Sequence, residues 1–141
     1  MLINSRLIID SGAIVAAIHD RDQWHLSARK FFSELPKPFY TCEPAVAEAC
    51  HLLKNISGGV NRILGLVSSE ALRLDFLLSK EINRVCHLTT KYQDVPMSLT
   101  DACLVRMSEI HKDSVVFTFD WDFQIYRRNV RERIFTIPDF K

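Results

Sequence analysis

Residues 115–119 read Val-Val-Phe-Thr-Phe and are followed directly by Asp120. Such a short run of β-branched and aromatic residues is typical of a buried strand. A second run, Leu7 to Ile9, has the same character and also ends at an acid, Asp10. Segments with helical spacing separate the strand-like runs, and this alternation favours β-α-β units. We therefore predict an α/β fold with a mostly parallel sheet.

The rest of the chain supplies further strands and the helices between them. Further strands are expected at residues 39–41, 72–76 and 134–137. The spacing of apolar residues predicts helices at 13–18, 24–35, 43–53, 63–67, 79–92 and 98–110. Ser79 is the expected N-cap of the fifth helix, whose core face is expected to carry Ile82, Val85 and Cys86 and could extend to Tyr92. Trp24 is expected to face the core, and the alternative is that it lines the mouth of the sheet near Asp10 together with Arg21 and His25. Helices then cover both faces of the sheet.

The composition is that of one ordinary domain. The 141 residues are 48% hydrophobic and 25% charged, so residues 1–141 are treated as a single domain. The net charge of +1 excludes a strong overall attraction to nucleic acid or to an acidic membrane. The four cysteines form no C-x-x-C pair, and we expect buried, reduced thiols and a cytoplasmic location. No apolar run approaches the ~18 residues of a membrane helix, so no membrane partner is expected.

Two further acids stand in segments where a carboxylate is informative. Glu48 lies in an otherwise small and apolar helical segment, and an unpaired carboxylate is costly to bury. Asp101 is the third residue after Ser98, which is the position of a capping-box acid. Each acid also has a purely structural explanation. Asp10 and Asp120 could cap helices, Asp101 could complete the capping box, and Glu48 could simply face the solvent.

Taken together, the four acids indicate a metal site. The carboxyl ends of parallel strands meet at one edge of a sheet. Carboxylates gathered there repel one another unless a divalent cation neutralises them. Oxygen ligands select Mg²⁺ or Mn²⁺, and the lack of His or Cys at ligand spacing argues against zinc. Such an ion can activate water and stabilise charge on a phosphodiester, so the pattern predicts metal-assisted phosphodiester hydrolysis.

Four segments, in this order, resemble the PIN-domain family: residues 7–13, Glu48, residues 97–102 and residues 116–123. The resemblance spans nearly the whole chain. It implies a three-layer α/β/α sandwich around a mostly parallel sheet and a Mg²⁺- or Mn²⁺-dependent ribonuclease. A stand-alone domain of this length is most similar to the VapC-type toxins of toxin–antitoxin pairs. That similarity implies an RNA substrate, a small antitoxin protein as inhibitor, and a homodimer.

The resemblance also implies roles for individual residues. Asp10, Glu48, Asp101 and Asp120 match the acidic quartet that binds metal and activates water in the family. These four are therefore the expected catalytic residues. Asp122 matches an additional acid found in part of the family, and with the quartet it completes the expected set of metal ligands.

A basic segment near the end of the chain is the expected contact with RNA. Arg127, Arg128 and Arg131 are close together in the sequence, with Arg133 following. Arginines neutralise phosphates, and the neighbouring Tyr126 could stack on an unpaired base. A solvated surface segment without a ligand is the alternative.

Several interpretations stay open at the level of sequence. Thr118 and Ser11, which neighbour two of the acids, could orient a carboxylate or could be ordinary strand and turn residues. The protein could be a PIN-like RNA-binding module without turnover, in which case RNA binding survives loss of the carboxylates. It could also be a phosphatase-like hydrolase with Asp10 as nucleophile. That reading is weaker because Gly12 stands where such enzymes normally have a second Asp.

Overall fold

The structure is a computed structural model that describes residues 4–140. The strands in this part of the chain are β1 (Arg6–Ile9), β2 (Phe39–Thr41), β3 (Leu72–Leu74), β4 (Ser114–Phe117), β5 (Arg127–Arg128), β6 (Glu132–Arg133) and β7 (Thr136–Ile137). The α-helices are α1 (Ser11–Ile18), α2 (His25–Glu34), α3 (Glu43–Leu52), α4 (Gly59–Ser68), α5 (Leu78–Lys91) and α6 (Leu99–Ile110). A short 3-10 helix covers Trp121–Gln124.

Five strands form one parallel sheet in the order β3-β2-β1-β4-β7. The chain moves outward from β1 through β2 to β3 and then returns to the other side of β1, where β4 pairs with it. Leu7 lies opposite Val115, and Ile9 lies opposite Phe117. The strand order therefore reverses between β1 and β4. In open parallel sheets, such a reversal leaves a crevice beyond the carboxyl ends of the two strands.

Alternation along the central strands divides the apolar core into two layers. Leu7 and Ile9 of β1 and Phe117 of β4 pack in one cluster with residues of α1, α2 and α4. Ile8 and Val116, which point to the opposite face, pack in a second cluster with residues of α5 and α6. This is the period-2 burial that a sheet covered on both faces requires. The predicted α/β/α sandwich around a parallel sheet is confirmed.

Two helix starts bring acidic residues to the carboxyl edge of the sheet. Asp10 caps α1, because its side chain accepts the backbone N–H of Ser11. Ser98 caps α6 by accepting the backbone N–H of Asp101, and the Asp101 carboxylate accepts the N–H of Ser98 in return. The predicted capping box is therefore present, and it fixes Asp101 at the first turn of α6.

The prediction for α5 is wrong in two respects. The helix begins at Leu78, and Ser79 lies inside it and does not cap it. Ile82 and Cys86 were expected in the core, yet both are exposed. Val85 and Tyr92, which were also expected in the core, are buried, and Leu88 is buried beside them. The apolar face is therefore rotated from the expected one only in part.

Other differences concern strand lengths and single side chains. Three observed strands are shorter than the predicted ones, which were 72–76, 115–119 and 134–137. In each case part of the apolar run lies outside the parallel ladder. Trp24 was expected in the core but is 43% exposed in the loop before α2. Cys42 and Cys103 are buried thiols as expected, while Cys50 is half-buried. No helix within residues 4–140 has the length and apolar character needed to cross a membrane.

Candidate metal centre

Asp10 and Asp120 stand beyond the carboxyl ends of neighbouring strands. Asp10 directly follows β1, and its backbone N–H donates to the carbonyl of Phe117 at 3.0 Å. After β4 ends, the backbone N–H of Thr118 donates to the carbonyl of Ile137 at 3.0 Å, and the chain then turns at Asp120. Both acids therefore reach the edge of the sheet where the strand order reverses.

Asp101 reaches the same edge from the start of α6. One carboxylate oxygen from each of Asp10, Asp101 and Asp120 lies within 4.8 Å of the other two. A cavity of about 450 Å³ opens in front of them, and Glu48 and Asp122 also line it. The fold thus gathers all five acids singled out in the sequence around one cavity, with three of them close enough to share one ion.

Burial and mutual repulsion oppose ionisation of the inner acids. Asp10 is 6% exposed and Asp101 is 8% exposed. Burial, reinforced by the charge of Asp101, raises the pKa of Asp10 to about 7. Burial also raises the pKa of Asp101, and the charge of Asp120 adds to that effect. A positive charge in the cavity would favour the ionised form of both carboxylates and so would oppose these increases in pKa.

Hydrogen bonds fix the orientation of the two buried acids. Thr118 donates its hydroxyl to Asp10 Oδ2 at 2.9 Å, and the backbone N–H of Ser11 donates to Asp10 Oδ1 at 2.7 Å. Of the two interpretations left open for Thr118 and Ser11, these bonds favour the one in which both residues orient a carboxylate. Tyr126 donates its hydroxyl to Asp101 Oδ2 at 2.8 Å. These donors keep the carboxylates pointed at the cavity, as supporting residues do around metal ligands.

Glu48 and Asp122 lie at the rim of the cavity, outside the close group of three. Glu48 is exposed, and its carboxylate accepts hydrogen bonds from Ser11 Oγ at 2.5 Å and Thr100 Oγ1 at 3.2 Å. Asp122 donates its backbone N–H to Asp120 Oδ1 at 2.9 Å. Partial burial and the charge of Asp120 raise the pKa of Asp122. The two rim acids therefore differ in position from the three inner ones.

The chemistry of the lining fits a hard divalent cation. Among the described residues that line the cavity there are six carboxylates and no Lys, Arg, His or Cys: Asp10, Asp22, Glu48, Asp101, Asp120 and Asp122. Carboxylate oxygens are the ligands that hard cations prefer, whereas zinc sites use nitrogen and sulfur. The grouped negative charge also has no counter-ion in this lining. Asp10, Asp101 and Asp120 are the residues placed to hold such an ion.

Arg128 of the predicted basic segment lies along α6, and no arginine is among the described residues that line the cavity. Arg128 is buried, and its guanidinium donates to the backbone carbonyls of Ser108 at 3.0 Å and Lys112 at 2.8 Å. Ser108 lies about two helical turns, roughly 10 Å, beyond Asp101. Arg127 is half-buried and donates to backbone carbonyls of its own turn, whereas Arg131 is exposed.

Burial removes two residues from the predicted RNA surface. Arg128 is already bonded inside the protein, so its guanidinium is not available to a phosphate. Tyr126 is 0% exposed, and its ring packs edge-on against Tyr92 and Phe123. It therefore cannot stack on a base. Its polar contact with the site is the hydrogen bond that its hydroxyl donates to Asp101. A buried partner of this kind leaves no pattern in the sequence, because the two residues are far apart in the chain.

Comparison with known proteins agrees with this architecture. No curated protein matches the chain. The fold is similar to the crystal structure of VapC20 from Mycobacterium tuberculosis, a sarcin–ricin loop cleaving toxin, with a TM-score of 0.76 and 16% identity over 84% of this chain and 93% of that chain. At this identity the likeness concerns the fold. The family model of the PIN domain matches residues 7–129, a range that contains every acid of the cavity. The chain therefore belongs to the PIN-domain family.

Proposed function

We propose that this protein is a divalent-metal-dependent ribonuclease that hydrolyses RNA phosphodiester bonds. The observation that carries the proposal is the grouping of Asp10, Asp101 and Asp120, whose carboxylate oxygens lie within 4.8 Å of one another. Membership of the PIN-domain family supports nuclease chemistry at this site. The structural likeness to a toxin that cleaves the sarcin–ricin loop supports RNA as the substrate.

Asp10, Asp101 and Asp120 would hold the ion, which we propose to be Mg²⁺ or Mn²⁺ because the donor set is all oxygen. When bound, such an ion activates water for attack and neutralises the charge that develops on the phosphate. Thr118 and Tyr126 hold Asp10 and Asp101 by one hydrogen bond each. These two donors keep the carboxylates in a productive orientation before any ligand arrives.

We assign Glu48 the role of proton acceptor. Its carboxylate faces the cavity from outside the close group and is held by the hydroxyls of Ser11 and Thr100. Each carboxylate oxygen keeps a lone pair that can take the proton released by the attacking water. Asp122, beside Asp120 at the rim, offers a further oxygen donor. Of the basic segment, Arg127 and Arg131 remain the proposed contacts with the RNA backbone.

A nucleophilic role for Asp10 fits less well. Both of its carboxylate oxygens accept hydrogen bonds, and the residue is almost fully buried. A nucleophile that must reach a phosphorus atom needs an accessible oxygen. The arrangement suits a carboxylate that binds an ion at the floor of the cavity.

We further propose that the protein is the toxin of a toxin–antitoxin pair and acts in the cytoplasm. The VapC-type resemblance supports a small inhibitory antitoxin and a homodimer. Light scattering of the purified protein is expected to give twice the chain mass of 16.3 kDa. Co-expression with the product of an adjacent small open reading frame is expected to suppress RNA cleavage.

The direct test is cleavage of a panel of structured RNAs, including the sarcin–ricin loop, in Mg²⁺ and in Mn²⁺. Wild type is compared with Asp101→Asn and with Asp113→Asn. Asp113 is an exposed acid just before β4, at the opposite edge of the sheet, so its substitution matches the change in charge. Wild type and Asp113→Asn are expected to cleave, and Asp101→Asn to be about 100-fold slower or worse. A chelator is expected to stop all cleavage.

Equal cleavage by Asp101→Asn would contradict the assignment of the site. Thermal melts of all three proteins show whether a slow variant is folded. RNA that is bound but not cleaved by wild type would favour the binding-module alternative. That alternative predicts equal or tighter binding by Asp101→Asn, since the substitution removes a negative charge near the phosphates.

A further inference from the structure

An aromatic pair, with one exposed and one half-buried ring, forms part of the wall of the acidic cavity. Trp24 and Phe119 both line it, beside Asp10 and Asp120. Their rings stack with centroids 5.2 Å apart and planes only 3° from parallel. Trp24 nevertheless remains 43% exposed. The pair is therefore a flat apolar surface that opens onto the site instead of being covered by the core.

Hydrogen bonds hold the chain around Trp24 in place. The backbone N–H of Trp24 donates to Asp22 Oδ1 at 2.8 Å, and the Trp24 carbonyl accepts the first hydrogen bond of α2, from Ala28, at 2.8 Å. His25, the next residue, is bonded through Nδ1 to the carbonyl of Ala16 in α1 at 2.7 Å. These contacts fix the backbone that carries the ring, and the ring itself is held by its stacking on Phe119. Less entropy is therefore lost when a ligand binds.

Phe119 supports the tryptophan from the side of the core. Its ring meets Phe117 of β4 edge-on, with centroids 5.8 Å apart. It also packs against the apolar cluster beneath the sheet. Trp24 therefore lies on a second ring that is itself anchored, so the orientation of the pair relative to Asp120 is set by β4.

The remaining lining explains why an apolar surface matters here. The described lining has six carboxylates and no cationic side chain, so the cavity by itself repels a phosphate backbone. A bound cation would offset that charge, but only at one point. A flat aromatic face adds attraction that is independent of charge, because every nucleobase has a π-face. Duplex RNA cannot use it, since its bases are already stacked.

We propose that Trp24, supported by Phe119, stacks on an unpaired nucleobase of the RNA and so positions the strand at the carboxylates. This inference rests on the proposed ribonuclease function. It makes Trp24 a positioning residue, and it restricts the substrate to single strands, loops or bulges. The pair discriminates unpaired from paired RNA without reading a particular base.

Binding can be measured on the fluorescence of Trp24 itself. The chain has two tryptophans, and Trp121→Phe leaves Trp24 as the only one. Trp121 is 59% exposed and is not among the lining residues, so the substitution is expected to leave the site intact. In Ca²⁺, a hard ion that takes oxygen ligands, a single-stranded oligoadenylate is expected to quench the Trp24 emission. The same strand in a duplex is expected to leave the emission unchanged.

The matched variants are Trp24→Phe, which keeps a stacking ring, and Trp24→Leu, which keeps an apolar side chain without one. Trp24→Leu is expected to bind the single-stranded oligoadenylate about tenfold more weakly than wild type. Trp24→Phe should stay within a few-fold of wild type. In cleavage assays, Trp24→Leu is expected to raise KM with a smaller change in kcat.

The outcomes separate this inference from the function on which it rests. Quenching by the single strand without RNA cleavage would support the stacking surface and count against the nuclease. Cleavage with equal binding by Trp24→Leu and wild type would overturn the stacking surface and leave the nuclease standing. Equal quenching by single strand and duplex would also overturn it. Should Trp24→Leu melt early, the quenching comparison in Trp121→Phe still decides the matter.

Discussion

The two ends of α6 carry acids in opposite electrostatic surroundings. At the carboxyl end, the Glu109 side chain is 1% exposed and accepts hydrogen bonds from Arg84 at 2.8 and 2.6 Å. Arg106 donates to it at 3.2 Å, and the backbone N–H of Asn129 donates at 2.7 Å. Burial opposes ionisation of Glu109, but these donors outweigh it and hold its pKa below the ordinary 4.5. This acid is neutralised from within the protein.

At the amino end of the same helix, no arginine within residues 4–140 bonds Asp101. Its hydrogen bonds come from neutral groups, the hydroxyl of Tyr126 and the backbone N–H of Ser98. Carboxylate oxygens of Asp10 and Asp120 lie within 4.8 Å of one of its own. Its pKa is raised where that of Glu109 is lowered. The buried acid with a structural role, Glu109, is neutralised by arginines of the same chain. Acids left together without arginines are placed to take their positive charge from a bound ion.

The largest expected effect is the loss of cleavage in Asp10→Asn. The substitution removes one of the three inner carboxylates, and we expect RNA cleavage to fall about 100-fold or more. Without metal, the melting temperature should not fall, because a buried and repelled charge is removed. The measurements are the cleavage rate and a thermal melt in chelator. A large loss of stability in chelator would place Asp10 with the structural acids instead.

The next largest effect is expected for Thr118→Val. This substitution removes the hydroxyl that donates to Asp10 and keeps the shape of the side chain. We expect metal affinity to fall about 10- to 100-fold, measured by calorimetric titration with Mn²⁺. Thr41→Val is the matched control. Thr41 is also fully buried and donates to a backbone carbonyl, that of Ile9, at 2.7 Å. An equal loss of affinity in the control would show that the effect is general loosening of the sheet.

Glu109→Gln tests the role of the ion pairs at the carboxyl end of α6. The substitution leaves Arg84 without its carboxylate partner and leaves Arg106 with Glu81 alone, so we expect the free energy of unfolding to fall by about 1–3 kcal/mol. Cleavage per folded molecule should be unchanged. The measurement is urea denaturation. Glu81→Gln is the control, since Glu81 bonds Arg106 alone and is more exposed, and its loss is expected below about 1 kcal/mol.

The smallest effect is on the pH dependence of stability. Because the pKa of Glu109 is lower in the folded protein than its ordinary 4.5, this acid stabilises the fold above that pH. The contribution is lost as the pH falls through the lower, folded value. Urea denaturation between about pH 3 and about pH 6, the range in which ordinary carboxyl groups titrate, should show a shallower decline of stability in Glu109→Gln than in wild type. Parallel declines would contradict the pairing.

Much of the site could be predicted from sequence because its parts are local. Asp10 and Asp120 directly follow apolar strand runs, and the geometry of a parallel sheet brings such positions to one edge. Asp101 stands at a fixed distance from its capping serine, so its place at a helix start is also a local property. Glu48 could be named as a carboxylate in an apolar segment, although its place at the rim depends on how α3 packs.

The features that sequence did not predict depend on contacts between distant segments. Tyr126 and Asp101 meet only because the chain after β4 returns over α6. Arg128 looks like part of a solvated basic run, and only the packing of β5 on the end of α6 buries it. Trp24 has the spacing of a core residue, but it precedes the helix and turns toward the cavity. Periodicity describes a helix face and does not apply in the loop before it.

The most direct test of the central claim is a titration of Mn²⁺ and Mg²⁺ into the metal-free protein. The melting temperature is measured at each ion concentration. Wild type and Asp113→Asn should gain stability with ion concentration, by about 2.7 kcal/mol at 100 times the dissociation constant. Asp101→Asn should gain little at the same concentrations. Equal stabilisation of all three proteins, or none of wild type, would contradict the account that the grouped carboxylates of Asp10, Asp101 and Asp120 hold a divalent ion.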